Sequence, residues 1–126
     1  MALATGGVAL ASGSGPAVNI TIKSANKTLL KPTVVHGEKG WITKGGTPHG
    51  KCSGSTAAGA LDADTHGKWT GKYYASVPGI FVTSILGTKP TGSTFWGVFV
   101  NGKLSSTGVC AIKLHAGERL QFKIVK

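Results

Sequence analysis

The chain has 126 residues, a mass of 12.8 kDa, 40% hydrophobic residues and 20 glycines; this length fits one domain, and the glycine content favours a turn-rich all-β or α+β fold over a helical bundle. Fourteen Lys and Arg against four Asp and Glu give a net charge of +10, which draws the protein toward anionic surroundings. No apolar run approaches the ~20 residues of a membrane span.

Residues 1–17, "MALATGGVALASGSGPA", are small and apolar, and "ALA" at 9–11 resembles a signal-peptidase site. A basic start is missing and Gly6-Gly7 interrupt the apolar stretch, so the segment reads as a flexible leader or a signal-peptide remnant. The folded domain is expected over 18–126. "AVNITIK" (17–23) alternates Val18, Ile20 and Ile22 with polar residues, the period of a half-buried strand. "TLLKPTVVH" (28–36) reads as a second strand, which Pro32 assigns to a sheet edge or a bulge. Residues 37–56, "GEKGWITKGGTPHGKCSGST", form a long loop holding Trp41.

"STAAGALDADTHG" (55–67) is the one helix predicted. Ser55 or Thr56 is its cap, Ala57, Ala60 and Leu61 its apolar stripe, and Gly67 its left-handed end. Gly59 keeps the buried face thin, so the helix is expected to lie close on a sheet. "KWTGKYYASV" (68–77) is extended, and "GIFVTSILG" (79–87) reads as a strand buried on both faces. "TFWGVFV" (94–100) with "NGK" forms a hairpin around the type I′ signal Asn-Gly. "ERLQFKIV" (118–125) puts Leu120, Phe122 and Ile124 on one side of the last strand. The fold class is therefore α+β: a β-grasp-like mixed sheet packed against one short helix, in a single domain.

Cys52 and Cys110 are the only cysteines. In a secreted chain an even count points to a bridge; in a reducing cytosol the two would be unrelated thiols. The alternative is a metal site built on His49 and Cys52. A structural zinc needs four ligands, and only His36, His66 and His115 remain to supply them. A disulfide is the expectation, and no metal is.

Specific nucleic-acid binding is not expected. Arg119 is the only arginine, the lysines are scattered singly from Lys23 to Lys126, and no RNA-recognition string is present. Catalysis is not expected either. Asp62, Asp64 and His66 lie close in sequence, but Asp64 and His66 point in different directions on a helix. No nucleophile, base and oxyanion donors can be named together. The aromatics offer more: Trp69, Tyr73, Tyr74 and Trp96 are the candidate ligand-binding residues, against the reading that they are core. On a strand Phe95 and Phe99 share one face and Trp96, Val98 and Val100 the other.

The strings "CSGSTAAGALDADTHGKW", "YYASVPGIFVTSILG" and "FWGVFVNGKLSSTGVCAIKLHAGERLQF" resemble a bacterial domain-of-unknown-function family described as transcobalamin-like C-terminal. The shared features are a small-residue helix leading through Gly-Trp into a strand with "TSI-G", an aromatic strand with "VNGK" at its turn, and an "L-x-x-G-(D/E)" turn before the last strand. They run in order over about residues 52 to 124. The resemblance implies a β-grasp-like fold, an extracellular or cell-surface setting, and cysteines in these same places. In the vitamin carriers that name the family, the module closes over cobalamin held mainly by a separate helical barrel. These residues contain no such barrel, so no cofactor is assigned and cobalamin is carried over only as one candidate.

The expectation is a non-enzymatic, secreted or cell-surface binding module, acting as a monomer without a transmembrane segment. Its partner is a small molecule, a glycan or an anionic cell-surface polymer. A small-ligand carrier would show a concave pocket walled by Trp96 and Tyr73 or Tyr74. An adhesion module would show a lysine surface instead.

Overall fold

A computed structural model describes residues 15–76 and 79–126. Residues 1–14 of the expected leader lie outside the described residues, as do Val77 and Pro78 of the segments read around them. In chain order the elements are β1 (Ala17–Lys23), β2 (Thr28–His36), α1 (Ala57–Thr65), β3 (Trp69–Tyr74), β4 (Gly79–Ile85), β5 (Phe95–Val100), β6 (Lys103–Leu104), a 3₁₀ turn (Val109–Ala111) and β7 (Arg119–Val125).

Five strands form one mixed sheet in the order β2-β1-β7-β5-β6. The first and last strands run parallel at its centre, with Ile20 beside Leu120 and Ile22 beside Phe122. This parallel pair, flanked by hairpins and backed by a helix, is the β-grasp-like arrangement expected from the sequence. One face of the sheet is apolar because the alternation is in register across strands. Val98 sits opposite Phe122 and Trp96 opposite Ile124, and this row meets Ala57, Ala58 and Leu61 of α1 in one core. Each large side chain buried there stabilises the fold by roughly 1.5–3 kcal/mol.

Pro32 serves both roles read for it. β2 is the edge strand, and the register shift between Ile20↔Thr33 and Ile22↔Leu30 places Lys31 and Pro32 in a bulge. The β5–β6 turn is also as read: Asn101 and Gly102 have φ of 50° and 87°, the two positive values a type I′ turn requires, and Val100 pairs with Lys103.

Three local expectations are corrected. β3 and β4 form a separate two-stranded sheet, so β4 is not buried on both faces: Ile80 and Val82 point inward while Phe81 and Thr83 are exposed. The close approach at Gly59 is to the loop rather than to the sheet, since a Cβ there would lie 1.8 Å from the carbonyl oxygen of Gly54. The helix is not closed by a Ser or Thr side chain. Thr56 is the N-cap, but its hydroxyl donates to the Ser53 carbonyl, and the Ala57 N–H donates to the Ile112 carbonyl instead. At the other end His66 takes the left-handed position ahead of Gly67.

Residues 37–56 are ordered by backbone pairing. Glu38 and Ile42 N–H donate to the carbonyls of Gly54 and Cys52, and Gly54 N–H returns to Gly40. The segment then runs past β3, where Tyr73 N–H donates to the Gly45 carbonyl. Cys52 and Cys110 are joined in a disulfide.

Candidate functional site

A groove of about 400 Å3 opens between β4 and β5. Its origin is topological. β6 is two residues long and pairs only with Phe99 and Val100, after which Ser105 N–H donates to the Val98 carbonyl. β7 pairs with Phe95–Gly97 on one edge, but among the described residues no strand lies along their other edge, and β4 pairs only with β3. Two strand edges thus face each other without joining, and the gap is walled by side chains. Ile80, Phe81 and Val82 line it from β4, and Phe95, Trp96 and Val98 from β5. Leu104 and Val109 add apolar surface, and Ser105, Ser106 and Thr107 also line it, the Ser105 and Thr107 hydroxyls bonded to each other.

Phe81 and Leu104 are 44% and 47% exposed, yet both line this groove. Two large exposed apolar side chains around one concavity make it the candidate binding surface. Trp96 is only 3% exposed; its ring backs the groove and its indole N–H donates to the Thr88 carbonyl at 3.1 Å. The polar end of the indole is thereby satisfied, so Trp96 offers an apolar wall and no free donor.

The other aromatic candidates lie elsewhere. Trp69 is 2% exposed; its indole N–H donates to Asp62 Oδ1 at 2.8 Å and the Lys44 ammonium lies 4.8 Å from its ring centre. Tyr73 is half-buried against the core. Tyr74 is exposed on β3, with the Lys72 ammonium 5.6 Å from its ring centre. The structure therefore brings Trp96, but not Trp69, Tyr73 or Tyr74, to the groove. Phe81 belongs to the aromatic set of the sequence but, like Leu104, is not one of the four candidate ligand-binding residues. The signal for Phe81 was the alternation in "IFVTSI", which assigns it to the face opposite Ile80 and Val82. Leu104 carried no signal of its own.

A second polar cluster surrounds the end of α1. Lys44 reaches from the loop to donate to the Gly67 and Trp69 carbonyls at 2.6 and 2.5 Å, a cation at the negative end of the helix. It stands 4.0 Å from Asp62 Oδ1. Glu38 faces Asp62, and burial together with the Asp62 charge and hydrogen bond pushes the Glu38 carboxyl up to about 7. Burial likewise raises Asp64 to about 6, with the charge of His66 pulling the other way. Asp64 Oδ2 is buried without a hydrogen-bond partner among the described residues. No group of three or more His, Cys, Asp or Glu is placed to hold a metal ion among the described residues.

The disulfide links the two regions. Cys52 closes the 37–56 loop and Cys110 follows Val109 of the groove. A Cβ on Gly79, the first residue of β4, would lie 3.1 Å from Cys110 Cβ, so the bridge also seats the start of one groove wall.

The fold and groove define a small β-grasp-like domain with an apolar cleft beside its main sheet. The family described as "Domain of unknown function (DUF4430)" matches residues 54–126, and the chain belongs to that family. Among solved structures, it is similar to a haptocorrin crystallised in complex with Cbi, with a TM-score of 0.61 and 20% identity. That likeness covers 96% of this chain and 27% of the haptocorrin chain, so the protein spans about a quarter of that relative's length. It is also similar to a protein from Ruminococcus gnavus ATCC 29149 described as metal binding, with a TM-score of 0.55 and 10% identity, over 88% of this chain and 97% of that one. At these identities the likeness is one of fold. No curated protein matches the chain.

Proposed function

We propose that the protein is a non-enzymatic, extracellular binding module whose groove between β4 and β5 takes up a small, largely apolar ligand. The observation that carries this reading is the pair Phe81 and Leu104, both exposed and both lining the same concavity. A volume of about 400 Å3 falls within the range that small-molecule sites occupy. Ser105, Ser106 and Thr107 among the lining residues would orient a polar group on the ligand. The haptocorrin relative, with Cbi named as its ligand, makes Cbi the first compound to try. The disulfide supports an oxidising compartment, and no helix among the described residues is long and apolar enough to cross a membrane.

The test is a titration of the oxidised protein with Cbi and with the apolar dye 8-anilinonaphthalene-1-sulfonate. Tryptophan emission and dye emission are followed in the native chain and in Phe81→Ala and Leu104→Ala. Saturable binding of either compound, weakened in both variants, is expected. A flat response to both compounds overturns the reading. Hydrolytic activity abolished by Asp64→Asn or His66→Ala would overturn its non-enzymatic part.

A further inference from the structure

None of the strands carries an Asp or Glu: the four acids lie in the 37–56 loop (Glu38), in α1 (Asp62, Asp64) and in the turn before β7 (Glu118). The five-stranded sheet therefore has a face with cations and no carboxylate among its own side chains. On that face, opposite the one holding Ile20 and Phe122, Lys23 of β1 and Lys123 of β7 are direct neighbours in the parallel register. Arg119 stands on the same face of β7, exposed, beside Asn19. Lys123 is four residue steps along the strand from Arg119, a distance of about 13 Å, and neighbouring strands are about 4.8 Å apart.

A pair of like charges directly across a ladder destabilises a sheet, and a sequence selected for stability alone would offset it with a carboxylate. Among the described residues the relief for Lys123 is aromatic. The Lys123 ammonium lies 4.9 Å from the centre of the Phe99 ring, held there by β5 pairing with β7. Between the charges, Thr21 and Gln121 pair across the same two strands and offer hydrogen-bonding groups. Meanwhile α1 packs on the opposite face, in the core with Ile20 and Phe122, and the 37–56 loop runs along β3. Neither covers the cationic face.

We propose that this face is a docking surface for a linear phosphodiester polymer with a sugar or polyol backbone, laid across β1 and β7 with its phosphates on Lys23, Lys123 and Arg119. Charge complementarity selects an anionic partner. Two lysines and one arginine favour compact, separated phosphates over the planar two-point recognition that arginine clusters provide. The apolar stems of the lysines give a backbone of sugar or polyol a surface to rest on. Single-stranded nucleic acid would demand aromatic faces free for stacking, whereas the Phe99 ring is engaged by Lys123. The groove adjoins this surface, since its Leu104 pairs with Phe99 and its Gly97 with Lys123, but no lysine or arginine lines it, so charge variants and apolar variants test the two readings independently.

The experiment measures binding of fluorescently end-labelled poly(glycerol phosphate) by anisotropy at about 50 and 200 mM salt, where phosphate contacts differ most in strength. The double variant Lys23→Gln/Lys123→Gln is compared with Lys39→Gln/Lys51→Gln, which removes the same charge from the exposed 37–56 loop. Near-ultraviolet circular dichroism checks that both variants stay folded. The sheet variant is expected to bind roughly tenfold more weakly at low salt and to show a shallower salt dependence, while the loop variant stays close to the native chain. Equal loss in both variants means general charge attraction and overturns the proposal, as does no loss in either. An oligonucleotide that binds more tightly than the polymer, and loses affinity with the same sheet variant, overturns the choice of partner.

Discussion

Val109 lies on the groove, and the next residue, Cys110, is bonded to Cys52 of the loop that precedes α1. One covalent link thus ties the loop over the helix to the turn that closes the cleft. The tie spans 58 positions; closing so long a loop stabilises the fold by about 4 kcal/mol in the chain-entropy model.

Replacing both cysteines by alanine should accordingly lower the unfolding free energy by about 4 kcal/mol, most of what a small domain has in reserve. Urea unfolding of the native and Cys52→Ala/Cys110→Ala chains measures this directly. A loss below about 1 kcal/mol would show that the bridge does not constrain the unfolded chain as argued. Mass analysis of the unreduced protein should show it two hydrogens lighter than the dithiol form.

Gly59 offers a sharper contrast. By helix propensity alone, Gly→Ala inside a helix stabilises by about 1 kcal/mol. Here the added Cβ would lie 1.8 Å from the Gly54 carbonyl oxygen, so Gly59→Ala should destabilise by more than about 2 kcal/mol through overpacking. A thermal melt decides the sign.

The acid pair Glu38 and Asp62 predicts a pH dependence. Glu38 titrates at about 7 in the folded protein against 4.5 ordinarily, so between those values the folded state binds a proton that the unfolded chain has released. The stability this site contributes is complete below pH 4.5 and is lost as pH rises toward 7. Glu38→Gln should remove that decline, so the melting temperatures of variant and native chain should diverge between pH 5 and pH 7, with the variant higher at pH 8. A constant difference across that range would mean that the carboxyl does not titrate there.

The groove predicts a division between binding and stability. Phe81→Ala removes a half-exposed side chain and should change stability by about 1 kcal/mol or less while weakening capture of the apolar dye several-fold. Trp96→Ala removes a buried wall and should cost about 3–5 kcal/mol. Unfolding curves and dye titrations on the two variants separate the roles.

The β-grasp-like order was legible because alternation survives translation into register. Val18, Ile20 and Ile22, Leu120, Phe122 and Ile124, and Trp96 and Val98 were each readable as one face, and these are the faces that meet. Asn101-Gly102 announced its turn because few residue pairs tolerate two positive φ values. The candidate site was far less legible. Trp69 and Trp96 looked equal in the sequence, and which of the two reaches the groove depends on where the β3–β4 hairpin sits.

That placement is a tertiary matter. Periodicity is local and reports which side of a strand is apolar, but it carries no information about which strand edges are left unpaired. Only the folded chain shows β4 standing apart from β5 with Phe81 and Leu104 on the gap, and Lys23 brought beside Lys123 from the opposite end of the chain. Residues a hundred positions apart become neighbours through strand pairing, and single-sequence patterns do not encode that.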